Sequence, residues 1–279
     1  MTYRVLATDD LSADAVGLLN AHPSVAFDVH KGLSQDELEV SIAAYDGLII
    51  RSSVQVTDRV IEAGKRLRVI GRAGAGVDNV DIPAASERGI VVMNTPGANT
   101  VATAEHTMAL LLALCRNIPQ AAASLRRGEW ERKRFKGIEL RSKTLGIVGL
   151  GRVGQRVARR CRAFGMDVIC FDPYLSGERA ELLKVDQVTL EELFERSDFI
   201  TLHAALTPDT EGLIGCEALA KTKPGVRIIN AARGGLIDEE ALVEALTDGR
   251  VAGAALDVLV DEPPEASNPL LHMDNVVVT

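Results

Sequence analysis

Aromatic residues, long apolar runs and net positive charge are all lacking in this chain, and each shortage excludes a class of protein. Phe, Trp and Tyr make up 4% of the 279 residues, which leaves few ring surfaces on which nucleic-acid bases could stack. The formal net charge of -8 also disfavours general nucleic-acid binding. No apolar run reaches the roughly 18 residues that a membrane-spanning helix requires. We therefore expect neither a nucleic-acid nor a membrane partner.

The cysteines show no metal-ligand spacing and no Cys-x-x-Cys pair, so the sequence predicts neither a metal site nor a redox pair. The N-terminus is strand-like and lacks the apolar core and cleavage site of a signal peptide. Reduced, mostly buried thiols in a cytoplasmic protein are therefore expected. The four cysteines are Cys115, Cys161, Cys170 and Cys216.

Short β-branched runs alternate with helical patterns along the whole chain, which is typical of α/β proteins with mostly parallel sheets. The segment Asn94–Asn99 (Asn-Thr-Pro-Gly-Ala-Asn) interrupts this rhythm, and we place a hinge there. The sequence therefore predicts two domains, 1–97 and 98–279, with the cleft between them as the expected site. A long apolar helix over Thr100–Cys115 is expected to pack between the domains or against another subunit.

The motif Gly149–Gly154 (Gly-Leu-Gly-Arg-Val-Gly) joins an apolar strand, Lys143–Val148, to a helix over Gln155–Phe164. Glycines permit a tight turn and close approach to a pyrophosphate, whose charge the N–H groups of a helix N-terminus attract. Asp172 closes the next apolar run, Val168–Phe171, where a carboxylate can accept from ribose hydroxyls. Such a motif alone is often a structural loop, but here strand, helix and acid together predict dinucleotide binding. NAD is favoured because a carboxylate repels the 2′-phosphate of NADP.

Three further segments follow strands of the second domain, where ligands of parallel sheets bind. In Asn230–Gly235 (Asn-Ala-Ala-Arg-Gly-Gly), Arg233 offers a planar fork to a carboxylate, or else is a surface arginine in a loop. Asp257 ends a strand and either faces a nicotinamide or serves as a turn residue. Glu262 precedes two prolines, which restrict its backbone; it either orients an imidazole or belongs to a solvated acidic loop.

The first domain contains a turn of small residues, Gly71–Asp78, whose backbone N–H groups can form an anion-binding nest. Arg51 likewise ends a strand, although both features are also compatible with purely structural turns. A basic cluster surrounds Trp130 and favours an anionic, phosphorylated substrate, unless it is a solvated helix end paired with Glu129 and Glu131. The cluster comprises Arg126, Arg127, Arg132, Lys133, Arg134 and Lys136.

None of the five histidines lies in an obvious triad or metal-ligand pattern. His106 follows Glu105 inside the long helix and is expected to be a packing or interface residue. His203 ends the strand Phe199–Leu202, where it borders an adenosine or is a satisfied core histidine. His272 precedes the last strand and is expected to be exposed.

Together these segments resemble the D-isomer-specific 2-hydroxyacid dehydrogenases, from Arg4 to Thr279. The resemblance implies two doubly wound parallel-sheet domains with an interdomain cleft: a flavodoxin-like substrate-binding domain and a Rossmann NAD-binding domain. It also implies reversible hydride transfer between C2 of a D-2-hydroxy acid and NAD. The segments that carry the resemblance are Gly71–Asp81, Met93–Pro96, Trp130–Lys133, Gly149–Gly154, Asn230–Gly235, Ala255–Val258 and Glu262–Pro264.

The resemblance also implies residue roles. Arg233 is expected to hold the substrate carboxylate and polarise the C2 oxygen, and Glu262 to orient the catalytic histidine and raise its pKa. The residues expected at the substrate are Arg51, Arg72, Gly74, Ala75, Gly76, Val77, Asn99 and Arg132. Those expected at the cofactor are Gly149, Gly151, Arg152, Val153, Gly154, Asp172, His203, Ala204, Thr207, Ala231, Ala232 and Asp257.

The arginines at 51, 72 and 132 match positions that face a substrate phosphate in members acting on 3-phosphoglycerate. Arg132 would come across a dimer interface, so a homodimer or homotetramer is expected. The resemblance thus favours NAD-dependent oxidation of D-3-phosphoglycerate to 3-phosphohydroxypyruvate, the entry to serine synthesis. Two alternatives stay open: another D-2-hydroxyacid reductase, acting on glyoxylate or hydroxypyruvate, and a non-enzymatic protein that senses NAD.

One feature of the family is not found in the sequence. Its general acid/base is a histidine in a Pro-His pair directly after the strand that matches Val276–Val278, and the sequence stops at Thr279. Without this histidine, proton transfer would lose a factor of about 10²–10⁴. We therefore expect a C-terminally truncated chain, which also lacks the helix that closes the first domain.

Overall fold

The computed structural model describes residues 2–279, which divide into two compact units. The first unit extends to Asn99 and the second runs from Thr100 to Thr279. Each unit contains its own parallel sheet with helices around it. The predicted fold class, two doubly wound α/β domains, is therefore confirmed.

The first unit is built on a five-stranded parallel sheet. Its strands are β1 (Tyr3–Ala7), β2 (Val25–Val29), β3 (Gly47–Ile50), β4 (Val69–Arg72) and β5 (Val91–Asn94). Its helices are α1 (Ala13–Ala21), α2 (Gln35–Ile42), α3 (Asp58–Ala63) and α4 (Ile82–Glu87). The strand order is β2-β1-β3-β4-β5, which is the flavodoxin-like order.

Local sequence signals explain where two of these helices begin. Ser34 and Glu37 form a capping box at α2, in which each side chain accepts from the backbone N–H of the other residue. Asp81 caps α4, since its carboxylate accepts from the N–H of Ala84 at 2.9 Å. The core of the unit lies between these helices and buried strand residues such as Leu48.

The second unit is built on a seven-stranded parallel sheet. Its strands are β6 (Thr144–Val148), β7 (Asp167–Phe171), β8 (Asp186–Gln187), β9 (Phe199–Leu202), β10 (Val226–Asn230), β11 (Val251–Leu256) and β12 (Val276–Val278). Its helices are α5 (Thr100–Arg116), α6 (Ile118–Arg126), α7 (Arg152–Ala163), α8 (Gly177–Leu183), α9 (Leu190–Arg196), α10 (Cys216–Lys221) and α11 (Glu239–Thr247). The strand order is β12-β11-β10-β9-β6-β7-β8. This is the Rossmann order, and it reverses between β6 and β9, where a ligand crevice is expected.

The apolar helix α5 is covered by its own unit. Ala104, Met108 and Leu111 are buried in one core with Leu145 and Ile147 of β6, and α5 packs on α7 and on strands β10 to β12. The expectation that its apolar face packs between domains or subunits is therefore wrong for these residues, because the second unit already buries them. Within residues 2–279 no single helix is long and apolar enough to cross a membrane; only α5 and α6 together, bent by 61°, satisfy length and composition.

Candidate functional site

The glycine motif forms the turn from β6 to α7. Gly149 has a φ of +88°, a conformation that glycine adopts without strain, and a Cβ there would lie 2.8 Å from the carbonyl carbon of His203. A Cβ on Gly154 would collide with the carbonyl oxygen of Gly149. At Gly151, which caps the N-terminus of α7, a Cβ would meet no atom of the described chain within 4 Å. The turn is thus closed on its inner side and open above the helix N-terminus, with Arg152 and Val153 opening the helix, as an anion cradle requires.

Asp172 is held beside this turn, just after β7. Its Oδ2 accepts from the N–H of Leu150 at 2.8 Å, and its Oδ1 accepts from the N–H of Tyr174 at 2.9 Å. Each carboxylate oxygen has a second lone pair and can still accept from a ribose hydroxyl. Gln155, which sequence reasoning missed, fastens the turn by donating to the carbonyl of Leu150 at 2.9 Å.

The loop after β9 lies against the glycine turn. The N–H of His203 donates to the carbonyl of Val148 at 2.8 Å, and the backbone of Ala204 lies close to Gly149. The His203 ring is 3.1 Å from the hydroxyl of Thr201, and burial lowers the pKa of His203 to about 4. His203 is therefore neutral near pH 7. Thr207 begins a short turn in which its N–H donates to the hydroxyl of Thr210 at 2.8 Å.

These residues fit a dinucleotide. The open side of Gly151 leaves room for a pyrophosphate at the N-terminus of α7, and Asp172 presents a fixed carboxylate at the end of the neighbouring strand. Among residues 2–279, no group of three or more His, Cys, Asp or Glu side chains is arranged to hold a metal ion.

Arg233 lies in a loop whose conformation is fixed by hydrogen bonds to the side chain of Asn230. The Asn230 side chain accepts from the N–H of Ala232 at 3.0 Å and donates to the carbonyl of Arg233 at 2.8 Å. Arg233 Nη1 also donates to the carbonyl of Ala232 at 2.6 Å. A Cβ on Gly234 would collide with the carbonyl of Leu259, so the loop needs glycine there. The role of Asn230 was missed, although an Asn between a strand and a loop of small residues is a signal for such a turn.

Asp257 follows β11 and lies beside the Arg233 loop. Its N–H donates to the carbonyl of Asn230 at 2.9 Å. Its Oδ1 lies 3.0 Å from His106 Nε2 and 3.1 Å from the hydroxyl of Thr279. His106 was expected to be a packing or interface residue, but its side chain is 40% exposed and pairs with this carboxylate. No sequence signal links two residues that are 151 positions apart.

Glu262 lies in the exposed loop that follows Asp257. Its Oε1 accepts a long hydrogen bond, 3.4 Å, from the N–H of Leu259. The structure thus places Glu262 at the same edge of the sheet as Arg233, since Leu259 also lies against Gly234. His272, as expected, is exposed.

The small-residue turn of the first unit follows β4. The guanidinium of Arg72 lies directly against Gly74, so a side chain at this position would have to displace that flexible group. The backbone N–H groups of Ala75, Gly76 and Val77 donate to no acceptor within residues 2–279. They are therefore available to an anion, as the predicted nest requires. Asn99, the last residue of the unit, is exposed.

Arg51 is clamped through its backbone. Its N–H donates to the carboxylate of Asp9 at 2.8 Å, and its carbonyl accepts from the side chain of Asn79 at 2.8 Å. Asn79 also donates to the carbonyl of Val54 at 2.8 Å and is buried. The Arg51 side chain is exposed. Sequence reasoning found Arg51 but neither residue that fixes its loop.

We expect Asn79→Asp to lower the free energy of unfolding of the first unit by about 3 kcal/mol at pH 7. A carboxylate would face two carbonyl oxygens and bury an uncompensated charge. Burial raises the pKa of the introduced carboxyl, so the loss shrinks as pH falls and the group becomes a donor. Hydrogen exchange of β3 and β4 would measure this change. Asn20→Asp, at an exposed helix position, is the control, and equal protection in both variants would contradict the clamp.

The basic cluster around Trp130 is only partly neutralised. Arg127 pairs with Glu129 at 2.8 Å and Arg134 with Glu131 at 3.0 Å, as the solvated-helix-end interpretation expected. Arg132 is exposed and forms no ion pair within the described part of the chain. The same holds for Arg126, Lys133 and Lys136.

Residues 108–279 match the family described as "D-isomer specific 2-hydroxyacid dehydrogenase, NAD binding domain". This match confirms NAD as the predicted cofactor of the second unit. The chain is 53% identical over 277 residues to D-3-phosphoglycerate dehydrogenase of Methanocaldococcus jannaschii, covering 99% of this chain and 52% of the relative. The chain thus spans about half the length of the curated relatives it matches.

Solved structures agree with both units. A protein from Thermus thermophilus superposes with a TM-score of 0.90 at 40% identity, over 99% of this chain and 88% of that one. A glyoxylate reductase from Paecilomyes thermophila superposes with a TM-score of 0.89 at 33% identity, over 99% and 87%.

Proposed function

The chain belongs to the D-isomer specific 2-hydroxyacid dehydrogenase family, as its motifs predicted, and we propose that it oxidises D-3-phosphoglycerate to 3-phosphohydroxypyruvate with NAD. The observation that carries this proposal is the set of turns and side chains gathered at one edge of the second sheet. There the open glycine turn, the fixed Asp172, the braced Arg233 and Asp257 follow four of its strands. The name of the similar archaeal enzyme, at 53% identity, supports the choice of substrate.

In this reaction C2 of the hydroxy acid loses a hydride and its hydroxyl loses a proton. NAD, when bound, supplies the hydride acceptor. Arg233 binds the substrate carboxylate through its planar fork and stabilises negative charge that develops on the C2 oxygen. The open N–H groups of Ala75 to Val77 are assigned to an anionic group of the substrate. Glu262 is assigned the role of orienting the group that accepts this proton.

We assign the binding of the substrate phosphate to two arginines, Arg132 and Arg51. Arg132 is exposed without an ion pair in residues 2–279, and Arg51 presents an exposed side chain on a clamped backbone. Fixing the backbone lowers the entropy that is lost when phosphate binds. A second copy of the chain would supply Arg132 in a homodimer or homotetramer, and the exposed Ile118, Leu125 and Trp130 support such a contact.

A cytoplasmic location is part of the proposal. All four cysteines are free thiols, and three of them are buried. Burial raises the pKa of Cys115 and Cys170 to about 11 and that of Cys161 to about 12. These three thiols are therefore protonated and unreactive, which is compatible with a reducing compartment.

Rates on matched substrates test the proposed function. We expect D-3-phosphoglycerate to be oxidised with NAD faster than D-glycerate. Arg132→Ala should lower kcat/KM about 10- to 100-fold for the phosphorylated substrate only, which corresponds to a lost charge-assisted hydrogen bond. Arg134→Ala is the control, because Arg134 already pairs with Glu131 and Asp274.

Two results would replace the proposal. Preferred reduction of glyoxylate or hydroxypyruvate, unaffected by Arg132→Ala, would assign the chain to the unphosphorylated reductases. NAD binding without turnover of any of these acids would favour a protein that senses NAD.

A further inference from the structure

Three side chains from three elements meet at one carboxylate oxygen beyond β11. His106 Nε2, from α5, lies 3.0 Å from Asp257 Oδ1. The hydroxyl of Thr279, directly after β12, lies 3.1 Å from the same oxygen and 3.2 Å from His106 Nε2. The backbone of Asp257 is fixed as well, through its N–H bond to Asn230. This carboxylate is therefore held in one orientation.

The arrangement is asymmetric. Both side-chain contacts reach Oδ1, whereas Oδ2 of Asp257 accepts no hydrogen bond within residues 2–279. The side chain of His106 is 40% exposed, and that of Asp257 is 38% exposed. Exposed ion pairs contribute little to stability. The contact fixes one oxygen and leaves the other for a ligand that donates a hydrogen bond.

The position of Asp257 limits what that donor can be. Asp257 follows the strand next to β10, and its backbone is bonded to the residue that precedes Ala231 and Ala232. As part of the proposed function, we assign Asp257 and Ala231 to the nicotinamide side of the NAD site. The carboxamide of nicotinamide carries an NH₂ group, whose N–H is a suitable donor to a carboxylate oxygen.

We propose that His106 is a positioning residue: it donates to Asp257 Oδ1 and keeps Oδ2 available to the nicotinamide carboxamide. The inference rests on the proposed cofactor role of Asp257. The donor role requires a proton on Nε2, which the imidazolium and one neutral tautomer both carry. A glutamine side chain also carries an N–H donor at similar reach, whereas leucine has none.

Binding of NADH and of ADP-ribose, which lacks the nicotinamide, tests this role by titration calorimetry. We expect His106→Leu to weaken NADH binding about 3- to 10-fold, the range of one net hydrogen bond, and to leave ADP-ribose binding within about twofold. His106→Gln should restore NADH binding to within about twofold of the wild type. Glu105→Gln, next to His106 on α5, removes the ion pair between Glu105 and Arg160 of α7 and should change the affinity for neither ligand.

Each other outcome has a separate meaning. An equal loss for both ligands would show that His106 supports only the fold of α5, and unchanged NADH binding in His106→Leu would show that it positions nothing; either overturns the inference while the proposed function stands. Wild-type protein that binds NADH no more tightly than ADP-ribose would remove the nicotinamide role of Asp257 and the inference with it. Wild-type protein that binds neither ligand would overturn the proposed function itself.

Discussion

Replacing Arg233 by alanine lowers kcat/KM by about 10³-fold, while the affinity for NADH stays within about threefold of the wild type; this is the largest catalytic effect that we expect. A preorganised charge aimed at a developing oxyanion is worth about 10²–10³ in rate, and loss of the carboxylate clamp adds to it. Arg233 is preorganised because Asn230 fixes its loop and its own guanidinium bonds to Ala232. Steady-state kinetics together with NADH titration would separate the two effects.

Arg233→Lys is the informative companion. Lysine keeps the charge but not the planar fork, so we expect an intermediate loss of about 10- to 100-fold. Arg196→Ala, which removes an exposed arginine paired with Asp186, should leave kcat/KM unchanged. If Arg233→Ala retained more than a tenth of wild-type kcat/KM, the carboxylate of the substrate would have to be held elsewhere.

The parts of the site that could be predicted are those that adjacent sequence defines. The glycine turn, the helix after it and Asp172 lie within one strand–helix–strand unit, so order and spacing along the chain determine their relation. The capping box at α2 is similar, since Ser34 and Glu37 lie within one helical turn. Arg233 was proposed for the same reason, because it lies three residues after a buried strand.

The residues that hold the site in place could not be predicted, because their partners are distant in sequence. Asp9 and Asn79 bond to Arg51 across 42 and 28 positions, and His106 reaches Asp257 across 151. Only the sheet order brings these strand ends together. The short extent of the edge strand β8, Asp186–Gln187, could not be predicted either, since an edge strand has a pairing partner on one side only.

Gly151→Ala and Gly154→Ala are expected to affect different properties, although the two glycines are only three residues apart. Gly154→Ala should change the free energy of unfolding, and Gly151→Ala should change the affinity for NADH. Gly154→Ala should lower the free energy of unfolding by about 2 to 3 kcal/mol, because its Cβ collides with the carbonyl of Gly149 inside the turn. Gly151→Ala should change it by less than about 0.5 kcal/mol. A weaker N-cap and a less flexible unfolded chain nearly cancel, and no described atom lies within 4 Å of the new Cβ.

For the affinity of the cofactor, in contrast to stability, we expect Gly151→Ala to have a large effect. The Cβ of Gly151→Ala would occupy the space above α7 where a pyrophosphate would approach the backbone N–H groups. We expect NADH affinity to fall about 30- to 100-fold, the loss of one charge-assisted hydrogen bond or slightly more. Gly17→Ala, at an equally open glycine in the first unit, is the control for NADH binding. If a folded Gly151→Ala protein bound NADH as tightly as the wild type, the open side of the turn at Gly151 would not be the pyrophosphate site.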